Sequence, residues 1–270
     1  MTRSRLTLAQ LTAAQMRQHL ESLAAAGVLD LPRGEVSLPP TAETAPAPPP
    51  ARAIAVAEPA GEPPVATTPT FRPLHDVRAD VLAERQAGLD VLRGEVAACT
   101  RCQELACSRQ QTVFGSGHAA ARICFFGEAP GADEDASGEP FVGKAGQLLT
   151  KIIEACQLNR DEVFILNVLK CRPPGNRRPE PQEVDNCRRY FEHQLDLIQP
   201  EVICCLGATA AQALLATTES IGKLRGRWHK AKDAAVICTY HPSYLLRNPA
   251  AKRDVWDDMK TMMRHFGVEL

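Results

Sequence analysis

The sequence predicts an α/β domain, a parallel sheet covered by helices on both faces, preceded by a disordered segment rich in Pro and Ala. Three observations predict it. From residue 75 onward, short apolar runs alternate with stretches of helical periodicity. The runs (RICFF, EVFILNV, EVICCLG, AAVICTY) are continuously apolar, as in strands buried on both faces. Nearly every unusual residue lies in a loop after such a run, where ligands of open parallel sheets bind.

The elements follow in order. Residues 7–27 space leucines and alanines helically and stop at Gly27, so residues 1–37 are read as a short helical segment. Residues 38–74 are mostly Pro, Ala, Thr and Glu. They carry too little apolar surface to offset the entropy of ordering and are read as a linker. The globular part, 75–270, opens with a helix, HDVRADVLAERQAGLDVLRGEVAAC. A strand at 121–127 and a helix, GKAGQLLTKIIEACQL, come next. A second strand at 162–168 leads to PQEVDNCRRYFEHQLDLIQ, a helix started by its proline. A third strand, 201–207, runs into the helix ATAAQALLA. A fourth, 234–240, precedes the closing helix NPAAKRDVWDDMKTMMRHF.

Totals narrow the function. A formal charge of −1 removes any global basic signature, so nucleic-acid contacts must come from local patches. No apolar run approaches the ~18 residues of a membrane span. The N-terminus lacks a secretory h-region. A cytoplasmic protein is expected, its ten cysteines reduced and a patterned subset bound to metal.

The loop 127–146, GEAPGADEDASGEPFVGKAG, looks like a phosphate cradle. It contains GEPFVGK, but Ala145 stands where a Mg²⁺-holding hydroxyl is needed. Pro140 removes a backbone donor and Glu139 adds repulsive charge. The loop calls for a neutral, polar ligand.

Cys99 and Cys102 form CTRC, Cys171 sits in LKCRPP and Cys187 in VDNCRR. Four thiolates suit structural zinc or a [4Fe–4S] cluster, and spacing leaves both open. Cys124, Cys204, Cys205 and Cys238 fall in strands and read as core, Cys156 as helix packing, and Cys107 as a substitute ligand.

Together, GEAPGADEDASGEPFVGKAGQLL, NVLKCRPPGNRRP and HPSYLL, with CTRC upstream and Cys187 downstream, resemble the family 4 uracil-DNA glycosylases, the iron–sulfur members of their superfamily. The resemblance covers about residues 75–266. It implies a three-layer αβα fold with a central, mainly parallel four-stranded sheet, and a [4Fe–4S] cluster on Cys99, Cys102, Cys171 and Cys187. It also implies a monofunctional glycosylase that flips uracil out of DNA and hydrolyses its N-glycosidic bond.

The resemblance assigns residues to that task. Asn167 would read the uracil edge, its carbonyl accepting N3–H and its NH₂ donating to O4, a pairing that cytosine reverses. Phe141 would stack on the base, with the backbone of Glu128, Ala129 and Pro130 beside it. Glu134 would stand near C5, where it crowds out the thymine methyl. His241 would face O2 and stabilise the charge of the departing base. Related families place an Asp at the position of Ala129, and Glu128 is the candidate for positioning water. DNA contacts are expected from Arg172, Arg177, Arg178, Ser243 and Arg247, with Leu245 or Leu246 wedging into the gap left by the base. Lys223, Arg225, Arg227 and Lys230 form a further basic patch. The expected partners are uracil-containing DNA, single- or double-stranded, and a replication or repair protein on the N-terminal helix. The enzyme is expected to be a monomer. Two alternatives are broader specificity for deaminated bases such as hypoxanthine or xanthine, and a non-catalytic iron–sulfur DNA-binding protein.

Overall fold

The computed structural model describes residues 71–270. The expected helical segment and all but the last residues of the expected linker lie outside the described residues. Residues 71–74 themselves belong to the fold. Phe71 stacks on Phe266 at 4.9 Å, and Leu74 bridges Ala121. The linker therefore ends earlier than its composition suggests, because one aromatic ring gives it something to bury.

Helices α1 (Ala79–Ala97) and α2 (Gln103–Ser108) lead to a short strand, β1 (Ser116–Gly117). There follow β2 (Ile123–Gly127), α3 (Ala132–Ser137), α4 (Lys144–Ala155), β3 (Phe164–Asn167) and α5 (Pro181–Ile198). The chain continues through β4 (Val202–Leu206), α6 (Ala208–Leu215), α7 (Ile221–Leu224), β5 (Trp228–Ala231) and β6 (Ala234–Thr239), and ends in α8 (Pro242–Arg247) and α9 (Lys252–His265). The sheet has six strands in the order β1-β3-β2-β4-β6-β5. The inner four are parallel and are the four expected strands. The two edges, β1 and β5, pair antiparallel and correct the count from four to six.

Alternation along each inner strand builds two cores. Cys124, Phe126, Leu166, Ile203 and Cys205 face one way, against α1 and α5. Ile123, Phe125, Ile165, Cys204 and Ile237 face the other way, against α4 and α9. Both faces are dry, so the inner strands are apolar except at the carboxyl ends of β3 and β6, where Asn167 and Thr239 stand, and four cysteines serve as small core residues.

The connection from β2 runs to one neighbour, β3, and that from β4 runs to the other side, β6. The switch point between β2 and β4 opens a crevice beyond their carboxyl ends. That crevice is where the site forms.

Candidate base pocket and cysteine lobe

A cavity of about 600 Å³ occupies this crevice. Glu128, Ala129, Pro130, Glu134, Phe141, Asn167 and His241, contributed by the loops after β2, β3 and β6, all line it.

Asn167 ends β3 and is 2% exposed. Its Oδ1 is buried and accepts no hydrogen bond among the described residues. Such an orphan costs about 1–3 kcal/mol unless a ligand satisfies it. Gly127, opposite it in the sheet register, leaves room: a Cβ there would overlap Asn167 Oδ1 and sit 2.5 Å from Phe141 Cζ.

Phe141 is held in the left-handed region, φ 53°. A bulky residue there carries strain of roughly 1–3 kcal/mol and needs its surroundings to hold it. They do. Glu134 Oε1 accepts the N–H groups of Val142 and Gly143, both at 2.9 Å, and its Oε2 accepts that of Gly131 at 3.0 Å. Arg160 donates to the Pro140 carbonyl. Gly146 supplies space, since a Cβ there would overlap the Phe141 carbonyl. The resulting ring lies 5.6 Å from the His241 ring, tilted by 33°.

Two of the loop's acids are structural. Glu134 braces the backbone that carries Phe141. Asp135 is buried and accepts the Gln110 N–H at 3.0 Å. Asp133 and Glu139 are exposed.

His241 caps α8. Its Nδ1 accepts the Ser243 N–H at 3.1 Å and lies 2.8 Å from Ser243 Oγ. A backbone N–H only donates, so Nδ1 is unprotonated and the neutral ring carries its proton on Nε2. Burial and the nearby Arg247 push its pKa down to about 4. The ring is half-buried at the cavity wall. Ser243, expected on DNA, is thus committed to orienting the imidazole. The Glu128 side chain faces the cavity with no hydrogen-bond partner among the described residues.

The cysteines gather beside this pocket. Cys99 follows α1, Cys102 caps α2, Cys171 follows β3 and Cys187 lies on α5. They lie within Coulombic reach of one another. Two of the sulfurs have a donor of their own. Arg109 Nη1 reaches Cys171 Sγ at 3.0 Å and Asn186 Nδ2 reaches Cys102 Sγ at 3.4 Å. Burial pushes Cys102 and Cys171 up, and Cys187 up to about 12. Among the described residues, no three His, Cys, Asp or Glu converge tightly enough for one ion. Four thiols from four separate segments, two of them already receiving a donor, fit a cluster whose sulfur ligands each bind a different iron and accept hydrogen bonds.

The basic residues divide. Arg178 is exposed and among the described residues donates to Gln212 alone, and Arg172 is half-buried and bonded to Asn176. Arg247 is exposed at the cavity. Arg177 also reaches the cavity wall, where Glu183 grips it at 2.7 and 2.9 Å and Glu104 at 2.9 Å, so it clamps the loop onto α2 and α5. Arg225 is likewise held by Asp258 and stacked on Tyr240, and Arg227 pairs with Glu219. Leu245 is 1% exposed within the core and is not a wedge, whereas Leu246 is 48% exposed. Sequence reading missed Asn176, Lys144 and Tyr244 on the cavity wall, and the donors Arg109 and Asn186 beside the sulfurs. Only the aromatic in YHPSYLL offered a signal.

Comparison with known proteins agrees with this geometry. The family described as the Uracil DNA glycosylase superfamily matches residues 114–260. The Type-4 uracil-DNA glycosylase of Archaeoglobus fulgidus is 42% identical over 180 residues, covering 64% of this chain and 90% of that protein. The Type-4 uracil-DNA glycosylase of Thermotoga maritima is 42% identical over 182 residues, covering 65% and 93%. A DNA polymerase of Bacillus phage SP01 is 29% identical over 136 residues, half of this chain but 15% of that protein.

Proposed function

The chain belongs to the type-4 family of the uracil DNA glycosylase superfamily, and on that premise we propose that it excises uracil from DNA by hydrolysing the N-glycosidic bond, initiating base excision repair. The observation that carries this reading is the orphaned Asn167 Oδ1 in a cavity shared with Phe141 and His241. A flipped uracil supplies the missing donor through N3–H, while the Asn167 NH₂ donates to O4. Cytosine presents an acceptor at N3 and a donor at C4, and leaves both amide groups mismatched.

Phe141 stacks on the face of the base. As the glycosidic bond breaks, negative charge grows on the ring. The Nε2–H of neutral His241 donates to O2 and stabilises it without a proton changing hands. Ala129 offers no carboxylate for activating water. Glu128 is the acidic side chain placed to orient it, after the sugar has taken on oxocarbenium character. Glu134 bounds the pocket at the C5 side while keeping Phe141 in place. Arg172, Arg178 and Arg247 meet phosphates, and Leu246 fills the gap left by the base.

Cys99, Cys102, Cys171 and Cys187 would hold a [4Fe–4S] cluster. When bound, it joins the end of α1, α2, the loop after β3 and α5 into one rigid lobe. All ten cysteines are free, which suits a reducing compartment such as the cytoplasm. No helix among the described residues is long and apolar enough to cross a membrane.

The test is excision from a uracil-containing oligonucleotide, read as strand scission after alkali. Scission at uracil, with hypoxanthine and cytosine left intact, is expected. Equal release of hypoxanthine would favour the broader specificity, and no release of any base would leave a binding protein.

A further inference from the structure

Lys170 enters the sequence only as the letter before Cys171, yet its side chain is 1% exposed. A buried ammonium is costly unless it is paired and hydrogen-bonded. Its Nζ donates to the Asn167 carbonyl at 2.8 Å and to the Phe114 carbonyl at 3.3 Å. Its Coulombic neighbours are the thiols of Cys187, Cys124 and Cys171. The side chain thus lies between the end of the base-reading strand and the cysteine lobe.

The surrounding backbone is pinned as well. The Lys170 carbonyl accepts the Val113 N–H at 2.8 Å, and Gln194 Nε2 donates to the same Phe114 carbonyl at 2.9 Å. The N–H groups of Val168 and Leu169 donate to the carbonyls of Gly127 and Glu128 at 2.9 and 3.0 Å. Asn167 Oδ1, by contrast, has no partner among the described residues. Nothing grips that end of the carboxamide, so its aim is inherited from the backbone that Lys170 holds.

We propose that Lys170 is a positioning residue for base recognition: through the Asn167 carbonyl it fixes the strand end whose amide reads uracil, and it ties that strand end to the segment carrying Cys171. This rests on the uracil reading above. Lysine suits the position because its long apolar stem crosses the core while its head satisfies two buried carbonyls at once.

The test is calorimetric binding of free uracil to cluster-loaded protein, with binding of an abasic-site duplex and absorbance near 400 nm followed in parallel. Lys170→Met keeps the stem and removes the donors. It is expected to weaken uracil binding about tenfold, the worth of roughly one hydrogen bond, with duplex affinity and absorbance unchanged. Adding Asn167→Ala to Lys170→Met should then cost less than in the wild type, since both changes remove one recognition event. Unchanged uracil affinity overturns the proposal. So does a parallel loss of uracil binding, duplex binding and absorbance, which marks a scaffold residue. Lys170→Gln, with a shorter reach and one donor group retained, repeats the series if the methionine variant does not fold, and failure of both to fold also marks a scaffold residue. Wild-type protein that binds no uracil overturns the functional reading instead.

Discussion

The base cavity and the cysteine lobe both carry polar atoms that need a partner, and they prepare them in opposite ways. In the cavity, Asn167 Oδ1 is left bare and Phe141 is strained into place by the Glu134 brace. In the lobe, two of the four sulfurs already receive a donor, Cys171 from Arg109 and Cys102 from Asn186. A bare acceptor suits a visitor that arrives, is read and leaves. Pre-arranged donors suit a resident anion whose charge must be carried permanently in low dielectric. On the proposed function, the difference separates recognition from scaffolding within one small domain.

That contrast can be broken most severely at His241. His241→Leu removes the donor to O2 and should lower single-turnover excision by about 10²–10³ while leaving the cluster chromophore intact. Loss of the chromophore would mean that the two regions are not separable in this way. Asn167→Ala comes next. It removes both amide contacts and should cost roughly 10- to 100-fold in uracil excision, from 1–3 kcal/mol per unpaired polar group. A stability change without a change in specificity would place Asn167 among the scaffold residues.

A pH series sharpens the same point. His241 has a folded pKa of about 4, below its ordinary 6.5. Between these values the unfolded chain takes up a proton that the folded chain refuses, so the contribution of His241 to stability falls as pH drops from 6.5 toward 4. Below about 4, protonation also deprives the Ser243 N–H of its acceptor. Excision should therefore stay level in its His241 dependence down to about pH 5 and collapse near 4. A fall centred near 6.5 would show the imidazole to be solvated. The smallest effect is expected at the DNA face. Leu246→Ala should reduce excision from duplex several-fold more than from single strands. Leu245→Ala should instead lower stability by about 2–5 kcal/mol as a core truncation and affect both substrates alike.

Much of the architecture was legible because burial on both faces writes an unbroken apolar run, and four such runs are the four inner strands. The edge strands were not legible. β5 alternates exposed and half-buried residues, and β1 has two residues, so neither leaves a pattern. The seven pocket residues were legible through family motifs, since loop residues carry their signal in identity rather than periodicity. Their neighbours were not. Arg177 and Arg178 are adjacent and chemically identical, and what makes Arg177 a clamp is Glu183 on the following helix together with Glu104, 73 residues away. Leu245 and Leu246 differ only in which face of a one-turn helix meets the core. Lys170 was silent because its burial is a consequence of topology, which brings Phe114 and Asn167 around a single ammonium.

The central claim is that one amide and one imidazole read a flipped pyrimidine in a preformed slot. A crystal structure of the protein soaked with uracil tests it most directly. The base should stack on Phe141 with the Asn167 amide on its N3 and O4 and His241 Nε2 on its O2, each within about 2.7–3.2 Å. Uracil bound elsewhere, or bound in the slot with either side chain turned away, would contradict it.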